Sequence, residues 1–390
     1  MAEPIDLQAW KGRLQSSKQG YKKNMTNLMM FIENVRELGP NLRWNELAQR
    51  AEWYGKPLAD ADLIDIRLHL ERSGFEPSVS DVYPAVMRHA RQNAFHPVRD
   101  YLAAQVWDGT RRLDHWMQAC LGARDAAFVR AVGRKTLIAA VARAYQPGCK
   151  VDTVLVLEGP QGIRKSTAIA ALFGPEVTAE SVNLFDAHNK MVMSMMGAWC
   201  VELAEFIAIQ RKEQNTVKGM ISMRADTVVL PYAKMASTHP RQCIFFGTIN
   251  PGESGYLTDS TGNRRYWPVA VTSANIELIQ SRRDQIWAEA RQAYEAGEPW
   301  WLTADEEALA AEQVAEREEY DVWEEILGGK LAEYQTVTTA AALELLNIPH
   351  ERKDRRAELR VAKCLRKLGF EIKISKAGER KSVRVWRRIT

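Results

Sequence analysis

The stretch TVLVLEGPQGIRKST, residues 153–167, decides the fold. It opens with an all-apolar, β-branched run ending at Leu157, which predicts a short strand buried on both faces, as in a parallel sheet. A glycine-containing turn and a helical run to Phe173 follow. Strand, turn and helix in that order are the context a phosphate-binding loop requires. Glycines let backbone N–H groups curl around phosphate oxygens, and the helix start adds a favourable partial charge. Gly159, Gln161, Gly162, Arg164, Lys165, Ser166 and Thr167 are therefore expected to bind ATP. Lys165 would reach the β- and γ-phosphates, and the Ser166 hydroxyl would ligate Mg²⁺. The usual pattern has glycine before the lysine, where this chain has Arg164. A side chain there either crowds the β-phosphate or turns outward into solvent.

Further strands are expected at Ala198–Val201, Thr227–Tyr232, Cys243–Ile249 and Tyr266–Val271, with helical runs at Thr167–Phe173 and Glu205–Met223. Strands alternating with helices predict an α/β core over residues 151–272. A P-loop enzyme needs a carboxylate for magnesium and a group to orient water. Glu202, at a strand end, is assigned to Mg²⁺ and Glu205 to water polarisation, with the roles interchangeable; as a competing reading, both cap the next helix. Thr248 and Asn250 end the Cys243 strand, where an amide can meet the γ-phosphate or the attacking water. Arg264 and Arg265, with Arg241 as a third, are candidates for an arginine finger supplied across a subunit boundary; surface salt bridging competes with that role.

The flanks read differently. Residues 1–95 are expected to form a small helical domain, with helices at Asp60–Arg72 and Val82–Asn93. Residues 96–150 form a helical collar that begins after Pro97. Residues 273–333 are helical and acidic, and 334–390 form a separate basic domain. Within that domain a pair of helices, Thr338–Leu346 and Asp354–Leu368, precedes a hairpin of period-two strands, Phe370–Ile374 and Ser382–Trp386. The order predicts a winged helix-turn-helix. From His350 to Thr390 there are fifteen Lys/Arg and five Asp/Glu, against a net charge of only +4 for the whole chain. A basic tail on a mildly acidic body points to a polyanion partner. Arg355, Arg356, Arg360, Lys363, Lys381 and Arg384 are the expected DNA contacts, a charged face balancing an acidic helix over Asp305–Glu325 being the competing reading.

Composition sets the bounds. A hydrophobic share of 46% and a charged share of 26% lie in the globular range. Five scattered cysteines without a Cys-x-x-Cys pair argue against a disulfide framework or zinc site. No membrane span or secretory signal is read, so the cytoplasm is expected.

The ordered series FHPVRDYL (95–102), WDGTRRL (107–113), PGCK (147–150), GPQG (159–162), ELAE (202–205), TIN (248–250) and TGNRRYWPV (261–269) resembles the virulence-associated protein E (VapE) family. These are phage and mobile-element proteins related to superfamily 3 helicases. The resemblance covers roughly residues 90–330. It implies an AAA+-like core, a homo-oligomeric ring (a hexamer) and ATP-driven work on DNA in replication. It also implies a hairpin over residues 232–241 that points Lys234 and His239 at DNA. The expected function is an ATP-dependent DNA helicase or replication-initiation ATPase. The alternative is a nucleotide-binding, weakly hydrolysing DNA-binding regulator or phage-interference protein.

Overall fold

The computed structural model describes residues 9–18, 20–180, 182–184, 186–204, 214–229, 235–250, 263–317, 321–377 and 381–389. They fall into two compact units, Ala315 closing the first and Glu316 opening the second.

After a 3₁₀ turn at Ala9–Arg13 and a small ribbon pairing Ser16–Ser17 with Gly20–Tyr21, the first unit continues with helix α1 (Met25–Asn34), strands β1 (Leu42–Asn45), β2 (Arg50–Trp53) and β3 (Lys56–Pro57), helices α2 (Asp60–Arg72) and α3 (Val79–Gln92), and strand β4 (Ala94–Phe95). The helices at 60–72 and 79–92 match expectation, but the all-helical reading of residues 1–95 does not. A four-stranded sheet in the order β3-β2-β1-β4 stands among them. Its strands are two to four residues long, too short to display alternation. Closure comes from a distant segment, Ala94–Phe95 running parallel to Trp44–Asn45. Asn45 secures the β1–β2 turn: its carbonyl accepts from the Leu47 and Ala48 N–H groups, and its amide donates to Glu52.

Helices α4 (Pro97–Ala104), α5 (Trp116–Leu121) and α6 (Ala127–Tyr145) follow. Pro97 occupies the first turn of α4, where its missing N–H costs nothing, and His96 Nδ1 accepts from Arg99 N–H at 3.1 Å. The WDGTRRL stretch is scaffold: Arg112 grips Asp108 through two 2.7 Å bonds, and Glu289 accepts the Arg112 and Leu113 N–H groups.

The α/β core then runs β5 (Val154–Glu158), α7 (Lys165–Phe173), β6 (Thr178–Ala179), α8 (His188–Met195), β7 (Cys200–Leu203), α9 (Gln214–Ser222), β8 (Ala225–Val228), β9 (Ser237–Pro240), β10 (Ile244–Ile249), β11 (Tyr266–Ala270), α10 (Ile276–Glu295) and α11 (Ala304–Ala315). Five strands form a parallel sheet in the order β11-β5-β10-β7-β6. Every residue of β5 is buried, as its unbroken apolar run requires when helices cover both faces. Strands β8 and β9 stand apart as an antiparallel ribbon. An aromatic cluster packs α7 and α10 on the sheet: Trp199 and Trp287 are 4.2 Å apart, and Phe173 meets both edge-on at 5.1 and 5.0 Å.

The second unit holds α12 (Val322–Lys330), β12 (Thr336–Val337), α13 (Thr339–Leu345), α14 (Arg355–Lys367), β13 (Phe370–Ala377) and β14 (Lys381–Arg388). The acidic run read as one helical segment is interrupted, because Asp321 accepts from Trp323 N–H and caps a new helix. The expected hairpin is present: Phe370 lies opposite Arg388 and Ala377 opposite Lys381. Strand β12 completes a sheet in the order β12-β14-β13. Leu327, Val337, Leu343, Val361, Leu365, Phe370 and Trp386 form a core separate from that of the first unit.

Candidate nucleotide site and basic helix

The loop between β5 and α7 begins at Gly159, whose N–H donates to Ile249 O at 3.2 Å. A Cβ at this position would stand 2.4 Å from Val271 O, so only glycine fits between the ends of β10 and β11. Gly162 adopts φ +86° with open space around it; glycine serves conformation there rather than packing.

Arg164 also lies in the left-handed region, at φ 64° and ψ 39°. Its side chain is exposed, and its guanidinium donates to Ala274 O at 3.5 Å. It turns outward, the second of the two placements the sequence allows. The backbone here has the conformation a glycine would take, at a cost of about 1–2 kcal/mol for an L-residue. Arg164→Gly is therefore expected to raise stability by up to about 1 kcal/mol, after glycine's greater unfolded-state freedom is subtracted. A denaturant titration showing destabilisation would contradict the strain argument.

Lys165 opens α7, and its Nζ donates to Gly159 O at 2.7 Å, Pro160 O at 3.0 Å and Asn250 Oδ1 at 2.9 Å. The ammonium is thus aimed across the loop mouth at the end of β10. Partial burial lowers its pKa, and the Glu202 carboxylate opposes that shift. One helical position on, Ser166 Oγ donates to Glu202 Oε1 at 2.7 Å, and Thr248 Oγ1 donates to the same oxygen at 2.7 Å. Glu202 is 2% exposed at the penultimate position of β7. The ends of β7 and β10 thus bring a carboxylate, a hydroxyl and an amide onto one loop. Among the described residues no group of three or more His, Cys, Asp or Glu clusters as a metal cage. A hydroxyl and one carboxylate instead suit magnesium, which keeps waters and takes its remaining ligands from substrate phosphates.

The other expected site residues divide. Gln161 and Thr167 are exposed at the loop and on the first turn of α7. Glu205 and Lys234 lie outside the described residues. Arg264 and Arg265 sit on a single 3₁₀ turn, Asn263–Arg265, immediately before β11 rather than on the strand itself. Arg264 is exposed, and Arg265 reaches Ser222 Oγ at 3.2 Å. Arg241 is 3% exposed and locked to Asp226 by 2.6 and 2.8 Å bonds, so it supports the β8–β9 ribbon and has no solvent face. His239 lies opposite Asp226 in that ribbon and donates to or accepts from Ser237 Oγ at 2.7 Å. It belongs to the base of the hairpin, and burial lowers its pKa.

In the second unit, α14 starts under the Asp354 cap, whose side chain accepts from Ala357 N–H. Ala357, Val361, Cys364 and Leu365 are buried, leaving Arg355, Arg356, Leu359 and Arg366 exposed on the other side. Arg360 is engaged elsewhere: its guanidinium lies 4.1 Å from the Trp323 ring centroid and forks onto Asp321 at 3.0 and 2.8 Å. Lys367 approaches Glu324 at 3.4 Å. One flank of the helix therefore holds α12, which the sequence did not reveal because both partners are distant in the chain. Lys363 is half-buried and already engaged, and the side chains of Lys381 and Arg384 lie outside the described residues.

The family model of the virulence-associated protein E-like domain matches residues 102–319, more than half of the chain. The chain belongs to the VapE-like family. That span holds the five-stranded sheet, the loop before Lys165 and both arginines before β11. Solved structures of the NrS-1 C-terminal region are more distant. One apo structure is 11% identical, covers 89% of this chain and 95% of its own, and has a TM-score of 0.45. An A-form apo structure is 12% identical, covers 74% and 78%, and scores 0.42. Likeness at this level carries no argument about activity. No curated protein matches this chain. Among the described residues no helix is long and apolar enough to cross a membrane.

Proposed function

We propose that this VapE-like protein is a magnesium-dependent ATPase that acts as an oligomeric ring on DNA, as a helicase or replication-initiation motor of a phage or mobile element. The supporting observation is the convergence of Lys165, Ser166, Glu202, Thr248 and Asn250 on the loop that follows a buried parallel strand. Backbone N–H groups of residues 161–165 would hold the phosphate chain, and Lys165 would release Asn250 to face the terminal phosphate. Magnesium, when bound, supplies charge neutralisation at the transferring phosphoryl group; Ser166 and Glu202 are the residues that would hold it. Asn250, freed from Lys165, would orient the attacking water, a task shared with Glu205. Arg264, exposed beside β11, is the better placed finger for a neighbouring subunit's site. The outward placement of Arg164 leaves the phosphate cradle clear and favours turnover over binding alone.

The second unit would supply the grip on duplex DNA. Its order of helix, strand, two helices and two strands supports the winged helix-turn-helix reading, with α14 in the major groove. Arg355 and Arg356 are exposed on its first turn, and each phosphate contact releases counterions. Replacing both by alanine is expected to reduce the slope of log affinity against log salt by about 2. An unchanged slope in a salt titration would remove them from the interface. The proposal as a whole is tested by ATP hydrolysis measured alone, with single-stranded DNA and with duplex. Absence of turnover under all three conditions would overturn it.

A further inference from the structure

The edge of the parallel sheet opposite the phosphate loop carries an aromatic run that nucleotide chemistry does not use. Strand β5 advances from Val154 toward the loop, so residues 145–152 lie at its starting edge. There Tyr145 stacks on Tyr294 at 5.8 Å and 17°. Tyr294 is 6.3 Å from Trp300, and Trp300 meets Trp301 edge-on at 5.2 Å. Trp300 is fixed by its indole N–H, which donates to Lys150 O at 2.9 Å. Trp301 is 60% exposed, so the run ends in a large open ring whose inner neighbour is held rigidly.

The same edge joins this run to the β8–β9 ribbon. Gly148 N–H donates to Arg241 O at 2.8 Å, and Arg224 Nε donates to Gly148 O at 2.7 Å. Residues 145–150 therefore bridge from the aromatic rings to the base of the ribbon. Exposed cations flank the bridge: the Lys150 side chain is 74% exposed, its ammonium 3.7 Å from the Asp152 carboxylate, and Arg224 is exposed. Nearby Glu298 is already occupied by Arg134 and Lys135.

Open aromatic faces beside backbone-reaching cations are the components of a single-strand binding surface, because every base offers a π-face while phosphates meet the charges. We propose that this edge is a single-stranded nucleic-acid track, with an unpaired base stacking on Trp301 and the strand passing Lys150 and Arg224 toward the β8–β9 ribbon. It rests on the DNA-dependent reading above and adds a site distinct from both the phosphate loop and α14.

The test is fluorescence anisotropy with the full chain, using labelled oligothymidine and an abasic sugar–phosphate strand of equal length. Trp301→Ala is expected to weaken oligothymidine binding about tenfold and Trp301→Phe much less, with no difference among the three proteins on the abasic strand. Equal affinity of Trp301→Ala and wild type for oligothymidine, an equal loss on the abasic strand, or no oligothymidine binding by wild type would each overturn the track. A change in sedimentation with unchanged oligothymidine affinity would overturn it in favour of a contact between copies of the chain. Wild-type ATP hydrolysis is measured alongside. Turnover without a Trp301 effect removes the track alone, and a Trp301 effect without turnover removes the motor reading alone.

Discussion

Lys165→Ala is expected to lower ATP turnover about a thousandfold while leaving the fold intact. The ammonium bonds two loop carbonyls and Asn250, so in the proposed mechanism it is the cation that exchanges those partners for phosphate oxygens. Removing one donor aimed at developing negative charge typically costs 10²- to 10³-fold. Here ground-state affinity for the phosphates falls as well. Stability should change little, because the Pro160 and Asn250 ends of this bonding are exposed and water replaces the lost donor there. Calorimetric titration with ADP and magnesium, together with steady-state hydrolysis, separates the two effects. Turnover within about threefold of wild type would mean that the loop is not a phosphate site.

The largest loss of stability is expected at Trp287. Its ring is fully buried between Trp199 and Phe173, and its indole N–H donates to Leu172 O at 2.7 Å. Truncating a buried tryptophan to alanine costs about 3–5 kcal/mol, because the cavity only partly collapses; here an unpaired carbonyl is left as well. Trp287→Phe should recover much of the packing but not the hydrogen bond. Equilibrium denaturation of the alanine variant should show a lowered midpoint with an unchanged slope. A loss below about 1 kcal/mol would show that α10 is not anchored through this ring. The effect reaches the candidate site because Leu172 lies on α7, the helix that Lys165 opens.

The α/β core was legible because its evidence is local. An unbroken apolar run, a glycine-containing turn and an amphiphilic continuation are read within one segment, and β5, α7 and β10 form close to the expected bounds. The same is true of the two basic-domain helices, whose caps Thr338 and Asp354 directly precede them. What escaped depends on partners far away in the chain. The N-terminal sheet needs Ala94–Phe95 beside β1, and nothing within either segment announces that pairing. Arg241 and Arg360 look alike as sequence, yet Asp226 buries one and Asp321 with Trp323 claims the other. Thr248 was recognised as a polar strand end, but its bond to Glu202 follows only from β10 lying beside β7.

Gly159 sits where three strands meet, bonded to Ile249 O and closed in by Val271 O. A loop wedged in this way has no slack: any shift it makes on gripping or releasing a ligand must be shared by the tips of β10 and β11. One tip leads to Asn250, and the other is the far end of the strand that Arg264 and Arg265 open. The two flanking strands would then work as levers on a common pivot, relaying occupancy of one pocket to the edge a neighbouring subunit would meet.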